Sequence, residues 1–125
     1  NWAEGGGIHC KLHTGRVNVG ISGVPGGDLN GTTVVDSDEW VHLGLTVTDK
    51  VVTIWLNGQA EASRAYTTPL KMVLGRACIG AYRTNNDIQR ELKGRMDDVR
   101  IYNRPVSVEE MLWLAGRREP VNQPF

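Results

Sequence analysis

The stretch VHLGLTVTDKVVTIWLNGQAEAS at residues 41–63 constrains the fold of this chain more than any other feature. Apolar and polar residues alternate along it, and a period of two is typical of strands that bury one face. The dipeptide Asn57-Gly58 favours a two-residue hairpin, because a type I′ turn needs positive φ at both central positions. Asp49-Lys50 suits a second turn. The stretch therefore predicts three antiparallel strands joined by two tight turns.

Two earlier segments repeat this period. Residues 7–13 and residues 15–22 each place apolar side chains at alternate positions. Thr14-Gly15 between them suits a tight hairpin turn. Residues 23–33, GVPGGDLNGTT, are dense in Gly, Pro, Asn and Asp and therefore indicate a loop.

The C-terminal part of the chain predicts one long strand followed by a short helix. Residues 94–103 read as the strand, and Pro105 ends it. Ser107 is placed as a helix N-cap, with Glu110 three residues later at capping-box spacing. Gly116 is placed to end the helix.

Two segments lie between the meander and this closing strand. Residues 70–82, LKMVLGRACIGAY, predict a further strand, whereas residues 83–92, RTNNDIQREL, are polar and indicate an exposed loop. Many short strands and one short terminal helix in a chain of 125 residues predict a single all-β sandwich. We assign this domain to residues 1–116 and regard residues 117–125 as a tail or linker.

The charge balance of the chain argues against two classes of partner. Lys plus Arg and Asp plus Glu both number 14, so the formal net charge is zero. A neutral domain has no bulk electrostatic attraction to nucleic acid or to anionic lipid. No apolar run approaches the roughly 20 residues that span a bilayer. We therefore expect neither nucleic-acid binding nor membrane insertion.

The two cysteines, Cys10 and Cys78, lie far apart in the sequence and lack C-x-x-C spacing. This spacing argues against a metal or redox site. We expect two buried free thiols, with a disulfide between two strands as the alternative in an oxidising compartment.

Four segments, taken in order, carry a resemblance to a known family. They are WVHLGLTVT at 40–48, VTIWLNG at 52–58, CIGAY at 78–82 and GRMDDVRIYNRPVSVEE at 94–110. Together they resemble the laminin-G-like, concanavalin-A-like jelly-roll domains. The family pattern falls on Trp40, His42, Trp55 (where the family has Tyr), Asn57, Gly58, Ile79, Gly80, Gly94, Met96, Asp97, Asp98, Val99, Arg100, Ile101, Tyr102, Asn103, Arg104, Ser107 and Glu110.

The resemblance implies an antiparallel, two-sheet jelly-roll sandwich with one short C-terminal helix. It also implies a binding module, often lectin-like, from a secreted or surface protein, and some family members bind calcium at the rim of the sandwich. Such domains usually have more strand before the equivalent of Ile8, so the resemblance implies that the first strands are missing here. Another copy of the chain, another protein, a neighbouring domain or residues 1–6 would then fill the open sheet edge.

Ligand contacts are expected on one polar loop and on one outward-facing Trp. Sugars are bound by aromatic faces and by planar amide, carboxylate and guanidinium groups, and residues 82–87 supply all of these types, although solvated loops often do. Trp55, of opposite parity to Ile54 and Leu56, is either a stacking platform on a concave face or packs against a covering loop. The candidate ligand-binding residues are Trp55, Tyr82, Arg83, Asn85, Asn86 and Asp87.

Asp97 is the candidate metal ligand. In a strand it would share a face with Val99 and Ile101, which the alternation predicts to be core. A core-side carboxylate needs a partner. Ca²⁺, a nearby Arg or backbone N–H groups would each serve, and hydrogen bonding is the commoner fate of a buried carboxylate.

The sequence contains no recognisable catalytic pattern. The glucanases of jelly-roll architecture have E-x-D-x-x-E on one strand, and this run is absent here, as are G-x-S-x-G and H-E-x-x-H. We therefore predict a non-catalytic module that binds carbohydrate in an extracellular, cell-envelope or periplasmic protein. Its partner would be a glycan or a cell-surface or matrix protein. The alternative is a structural or protein-interaction domain without a sugar site.

Overall fold

The computed structural model of the chain describes residues 5–35, 38–73, 77–84 and 87–116. The first three strands of this part form sheet 1, in the order β1-β2-β3, and the next three form sheet 2, in the order β4-β5-β6. Strands β7 and β8 form a separate hairpin, and all pairings are antiparallel. The elements are β1 (Ile8–His13), β2 (Arg16–Ile21), β3 (Leu29–Asn30), β4 (Leu43–Val47), β5 (Val51–Leu56), β6 (Gln59–Ala65), β7 (Tyr82–Thr84), β8 (Asp87–Gln89) and α1 (Val108–Leu114).

Tight hairpin turns form at the two predicted dipeptides, Thr14-Gly15 and Asn57-Gly58. Thr14 and Gly15 have φ of 51° and 74°, and Asn57 and Gly58 have φ of 49° and 79°. Left-handed backbone at both central positions is the type I′ geometry, whose twist matches that of the paired strands. The predicted hairpin of β1 and β2 and the predicted meander of sheet 2 are thereby confirmed.

Sheets 1 and 2 pack around one hydrophobic core. Alternate residues of the central strands β2 and β5 point inward, and Val17, Val19, Val52 and Ile54 are all exposed by 1% or less. Burying a side chain of this size contributes about 1.5–3 kcal/mol relative to leaving it in water. The predicted all-β, antiparallel two-sheet sandwich is confirmed.

Helix α1 begins and ends where the sequence predicts. The Ser107 hydroxyl accepts a hydrogen bond from the Glu110 N–H, and the Glu110 carboxylate accepts one from the Ser107 N–H at 2.7 Å. Gly116 follows the helix with φ of 81°. Met111 is buried and lies so close to Gly44 of β4 that a Cβ there would be 2.5 Å from its sulfur. Because Gly44 lies on the face of sheet 2 that points away from the core, α1 packs on that outer face and covers the part of it around Gly44.

The long strand predicted at residues 94–103 is wrong. This segment has no regular secondary structure, and Val99 and Ile101, predicted as core, are 52% and 79% exposed. Asp98 has φ of 50°, a left-handed conformation that interrupts the alternation of an extended strand. No described strand pairs with the segment, so its apolar side chains have no sheet in which to pack.

Two predictions for the region before this segment also differ from the structure. Residues 70–73 and 77–81 form no strand, and residues 74–76 lie outside the described part. The loop predicted at residues 83–92 contains strand β8 and most of β7. These strands are short and polar, so they have no apolar period by which the sequence could reveal them.

The two cysteines are free, as expected, but both are exposed rather than buried. Cys10 lies on β1, which is an edge strand of sheet 1.

Candidate functional site

Three of the predicted contact residues, Tyr82, Arg83 and Asp87, lie on the hairpin of β7 and β8. Tyr82 is half-buried, and the Arg90 guanidinium lies 5.6 Å from the centroid of its ring, a cation–π contact. Asp87 is exposed. This hairpin therefore presents an aromatic ring and a carboxylate, and its contact with a ligand stays a prediction. The remaining predicted positions lie outside the described residues: Asn85, Asn86 and the side chain of Arg83.

Trp55 is buried, with 9% of its surface exposed. Its indole Nε1 donates to the Thr46 hydroxyl at 2.9 Å on the outer face of sheet 2. A Cβ at Gly44 would be 3.3 Å from the Trp55 Cβ as well as touching Met111, so the indole lies beside the residue on which the helix packs. Of the two alternatives for Trp55, packing under a covering element fits the structure, and that element is α1. The ring face is not available for stacking on a sugar.

Asp97 is exposed, so the premise of a core-side carboxylate is wrong. Its Oδ1 accepts a hydrogen bond from the Asp98 N–H at 2.8 Å, and the Asp98 carboxylate pairs with Arg100 at 2.8 Å. Within the described ranges no group of three or more His, Cys, Asp or Glu side chains is placed to hold a metal ion. The described surroundings of Asp97 do not fit a calcium site, and calcium binding stays a prediction without a ligand set.

A second group of polar side chains meets on the outer face of sheet 1. Val17 and Val19 point into the core, so Asn18 between them points away from it. Asn18 is nevertheless only 3% exposed. The side chains that gather around it come from β1, from β3 and from the loop before β3. We name this group the outer polar cluster: His9, Asn18, Asp28 and Asn30.

The buried Asn18 amide contacts two other members of the outer polar cluster, one through each end of its amide group. Its Nδ2 donates to Asn30 Oδ1 at 2.7 Å, and its Oδ1 lies 3.2 Å from His9 Nε2. A buried amide without partners would cost about 1–3 kcal/mol, so bonds at both ends explain how this position tolerates Asn. Because Asn30 accepts through its oxygen, its NH₂ group remains available as a donor.

Gly20 makes room for the two ionisable members of the cluster. It pairs with His9 across β1 and β2, and a Cβ at this position would collide with both the His9 ring and the Asp28 carboxylate. His9 Nε2 lies 3.5 Å from Asp28 Oδ2. The imidazole and the carboxylate therefore share the space above one glycine, and any larger residue would displace them.

The outer polar cluster is open to solvent on one side. The Asp28 side chain is 40% exposed and Asn30 is exposed, whereas His9 and Asn18 lie beneath them. The corresponding face of sheet 2 is occupied by α1. A carboxylate acceptor and an amide donor on the same face of a sheet are groups that satisfy the hydroxyls of a sugar.

Sequence reasoning did not find this cluster. The signal available is Asn18, a polar residue set between two core valines in a strand whose register Thr14-Gly15 fixes. Asp28 and Asn30 lie in a segment rich in turn residues, and no local period predicts that this segment lies beside β2. Their approach to Asn18 is a property of the tertiary structure.

Comparisons with known proteins agree with this fold. A laminin G-type family model, described as the concanavalin A-like lectin/glucanases superfamily, matches residues 3–111. The chain is similar to the crystal structure of an S-layer domain-containing protein from Clostridium thermocellum ATCC 27405, with a TM-score of 0.56 and 21% sequence identity. That similarity covers 86% of this chain and 55% of the other. No curated protein is significantly similar to the chain, and no helix within the described residues is long and apolar enough to cross a membrane.

Proposed function

This chain belongs to the concanavalin A-like lectin/glucanases superfamily, and from that premise we propose that it is a non-catalytic module that binds carbohydrate through the outer polar cluster. A superfamily that contains lectins and glucanases does not fix the activity of one member, because function resides in sites rather than in folds. The proposal therefore rests on the chemistry and position of the cluster.

The observation that carries the proposal is that less exposed side chains support the two exposed ones: Asn18 bonds to Asn30, and His9 lies beside Asp28. Asn18 holds Asn30 by a bond of 2.7 Å, and Asp28 lies over Gly20 beside His9. Groups that are ordered before binding lose little conformational freedom when a ligand arrives. An amide donor and a carboxylate acceptor fixed in this way suit a shallow, hydroxyl-rich ligand.

The composition of the cluster favours binding over hydrolysis. It contains one carboxylate, Asp28, whereas most glycosidases use a pair of carboxyl groups about 5–10 Å apart. The sequence also lacks the E-x-D-x-x-E run of jelly-roll glucanases. We therefore propose recognition without cleavage.

We place the module in an extracellular or cell-envelope protein. The similarity to an S-layer domain-containing protein supports this placement. At 21% identity, and over 55% of that chain, the similarity shows a shared fold. The cellular location is therefore proposed, as is the ligand.

An oligosaccharide array followed by calorimetry with the best ligand tests the proposed function. The double variant Asp28→Ala plus Asn30→Ala removes both exposed groups of the cluster and keeps the buried Asn18. We expect it to weaken binding about tenfold or more, equivalent to ~1.4 kcal/mol or more. Unchanged affinity in a folded double variant would overturn the assignment of the site.

Two further variants distinguish this site from other surfaces. Tyr82→Ala plus Asp87→Ala alters the hairpin of β7 and β8, and loss of binding in this variant alone would move the site there. Asp49→Ala plus Asn103→Ala removes one carboxylate and one amide at exposed positions outside the cluster, and we expect it to bind like the parent protein. An array on which nothing binds would refute carbohydrate recognition.

The second candidate function, a protein-interaction domain, is favoured by one observation. Residues 94–103 carry exposed apolar side chains that no described strand covers, and contiguous exposed apolar surface commonly marks an interaction site. Light scattering across a wide range of concentrations tests for self-association through this segment, with Ile101→Asp as the disrupting variant. The exposed apolar side chains of residues 94–103 are Met96, Val99, Ile101 and Tyr102, and we name them the exposed apolar stretch.

A further inference from the structure

We infer that the saccharide bound at the outer polar cluster is acidic, with a carboxylate or sulfate on the sugar. This inference rests on the proposed function and specifies its ligand class. It follows from three basic side chains that continue the cluster along the outer face of sheet 1. We name them the basic strip: Lys11, His13 and Arg16.

Strand register places the basic strip beside the cluster. Lys11 pairs with Asn18, and His13 pairs with Arg16, so these side chains share the face that carries Asn18. Residues i and i+2 on one strand lie about 6.6–7 Å apart. The diagonal pair Lys11 and Arg16 lies about 7–8 Å apart at the backbone, and two long side chains bridge that gap to reach a single anionic group.

The cationic heads of Lys11 and Arg16 are only weakly neutralised by neighbouring side chains. Lys11 Nζ lies 4.0 Å from Asp28 Oδ2, and both side chains are more than a third exposed, so water screens this pair. The Arg16 Nε donates to the Thr32 carbonyl at 3.0 Å. That bond orients the guanidinium and leaves its two NH₂ groups for a ligand.

Glu61 is a further carboxylate near this end of the sheet, and it is already engaged. Its Oε1 accepts hydrogen bonds from the backbone N–H groups of Thr32 and Thr33 at 2.6 and 2.5 Å. The hydrogen bond from Thr33 leads the interactions that lower the pKa of Glu61 below its usual value. A carboxylate satisfied by the loop is a poor partner for Arg16.

The basic strip and the outer polar cluster contact different chemical groups of one ligand. The planar guanidinium of Arg16 matches the geometry of carboxylate and sulfate, and Lys11 adds a point charge. Asp28 and Asn30 contact hydroxyl groups of the same sugar. A single-stranded nucleic acid would also supply anions, but it is held chiefly by stacking on aromatic side chains, and neither the cluster nor the strip contains Phe, Tyr or Trp.

The test uses ligand pairs that differ only in charge. Oligogalacturonate and its methyl ester form one pair, and a sulfated glycosaminoglycan fragment and its desulfated form another. We expect the acidic member of at least one pair to bind about tenfold or more tighter than its neutral form. We also expect this affinity to fall as salt rises from 50 to about 300 mM, because screening weakens exposed charge pairs.

The double variant Lys11→Gln plus Arg16→Gln should bring the affinity ratio within a pair close to one. The matched control Lys50→Gln plus Arg95→Gln removes two exposed cations outside the strip and should leave the ratio unchanged. Lys11→Gln alone, which breaks no hydrogen bond to the chain, serves if the double variant does not fold.

The outcomes separate this inference from the proposed function. Equal binding of acidic and neutral members would overturn the inference and leave carbohydrate recognition standing. Failure of every saccharide on the array would refute both. Binding of a thymidine oligonucleotide as tight as that of the best saccharide would overturn the inference in favour of a general anion site.

Discussion

Asn18 and Trp55 occupy corresponding positions in the two sheets. Each lies on the central strand of its sheet, faces away from the core and is nonetheless buried. Trp55 donates to Thr46 beneath the terminal helix, whereas Asn18 bonds to Asn30, which is exposed. A hydrogen bond on the outer face of a sheet therefore stabilises packing where a helix covers that face. Where the face is open, such a bond holds an exposed side chain in place.

His42 illustrates how burial affects titration at a single residue. Its Nδ1 is buried and has no hydrogen-bond partner among the described residues. Burial lowers the pKa of His42 below 6.5, and the nearby negative charge of Asp98 partly opposes this shift. At a pH between the folded pKa and 6.5 the unfolded chain binds the proton more readily, so His42 makes unfolding easier as the pH falls.

We expect the melting temperature to decrease from pH 7 to pH 5, and we expect the variant His42→Gln to show a smaller decrease. Glu110 contributes little in this window: hydrogen bonds from Arg104 and Ser107 lower its pKa from the usual 4.5 to about 2, so its contribution is lost below pH 5 rather than above it. Thermal melts of both proteins in the same buffers provide the measurement. Parallel curves would show that His42 titrates alike in the folded and unfolded states.

Among the secondary-structure elements, signals between residues close in the sequence predict the structure correctly, whereas the pairing of distant segments does not follow from them. The turn at Asn57-Gly58 and the cap at Ser107 each depend on residues within three positions of one another. The strand predicted at residues 94–103 depended on a partner strand, and alternation alone does not supply one. Asp98 then adopted a left-handed conformation that a continuous strand does not contain.

The turn between β5 and β6 also supports the terminal helix, which a pair of Gly→Ala substitutions tests. Gly58 and Gly27 both have positive φ, but a Cβ at Gly58 would lie 3.1 Å from Ala115 Cβ and 3.2 Å from Leu112 Cα, whereas nothing lies within 4 Å at Gly27. Gly27→Ala should cost about 1–2 kcal/mol from backbone strain alone. Gly58→Ala should cost about 1–3 kcal/mol more from overpacking. Urea denaturation measures both, and equal costs would show that α1 does not rest on this turn.

Ser107→Ala should destabilise the protein by about 1 kcal/mol, because it removes the hydroxyl that accepts from the Glu110 N–H. Thr68→Ala, which removes an exposed loop hydroxyl, is the matched control and should change stability by less than about 0.5 kcal/mol. Chemical denaturation compares the two. Equal effects would mean that the cap adds nothing to the packing of α1 on sheet 2.

Considered as a whole, the molecule has two differently used outer faces and one uncovered segment. Helix α1 covers sheet 2, the outer polar cluster and the basic strip face solvent on sheet 1, and the exposed apolar stretch lies outside both sheets. A formal net charge of zero makes the basic strip a local feature rather than part of a basic protein. Local charge of this kind favours selective contacts over non-specific adhesion.

Hydrogen exchange of the whole chain should follow this division. Amides of β2 and β5, which are central strands around the core, should exchange slowest. Amides of residues 95–103 form no backbone hydrogen bonds with other described residues and should exchange almost as fast as in an unfolded chain. Mass spectrometry of the exchanged protein provides the measurement. Strong protection of residues 95–103 would show that this segment pairs with a strand, from another copy or from elsewhere in the chain.

The hairpins, the meander, the capped helix and the sandwich class follow from the amino-acid sequence alone, because each depends on local periods and on turn or cap residues close together in the chain. The resemblance carried by its motifs gave the family as well. Three outcomes depend on the fold as a whole: Trp55 is covered, Asp97 faces solvent, and Asn30 and Asp28 meet Asn18 and His9, respectively. These outcomes depend on which distant segments come together, and no short stretch of residues determines the free energy of such contacts.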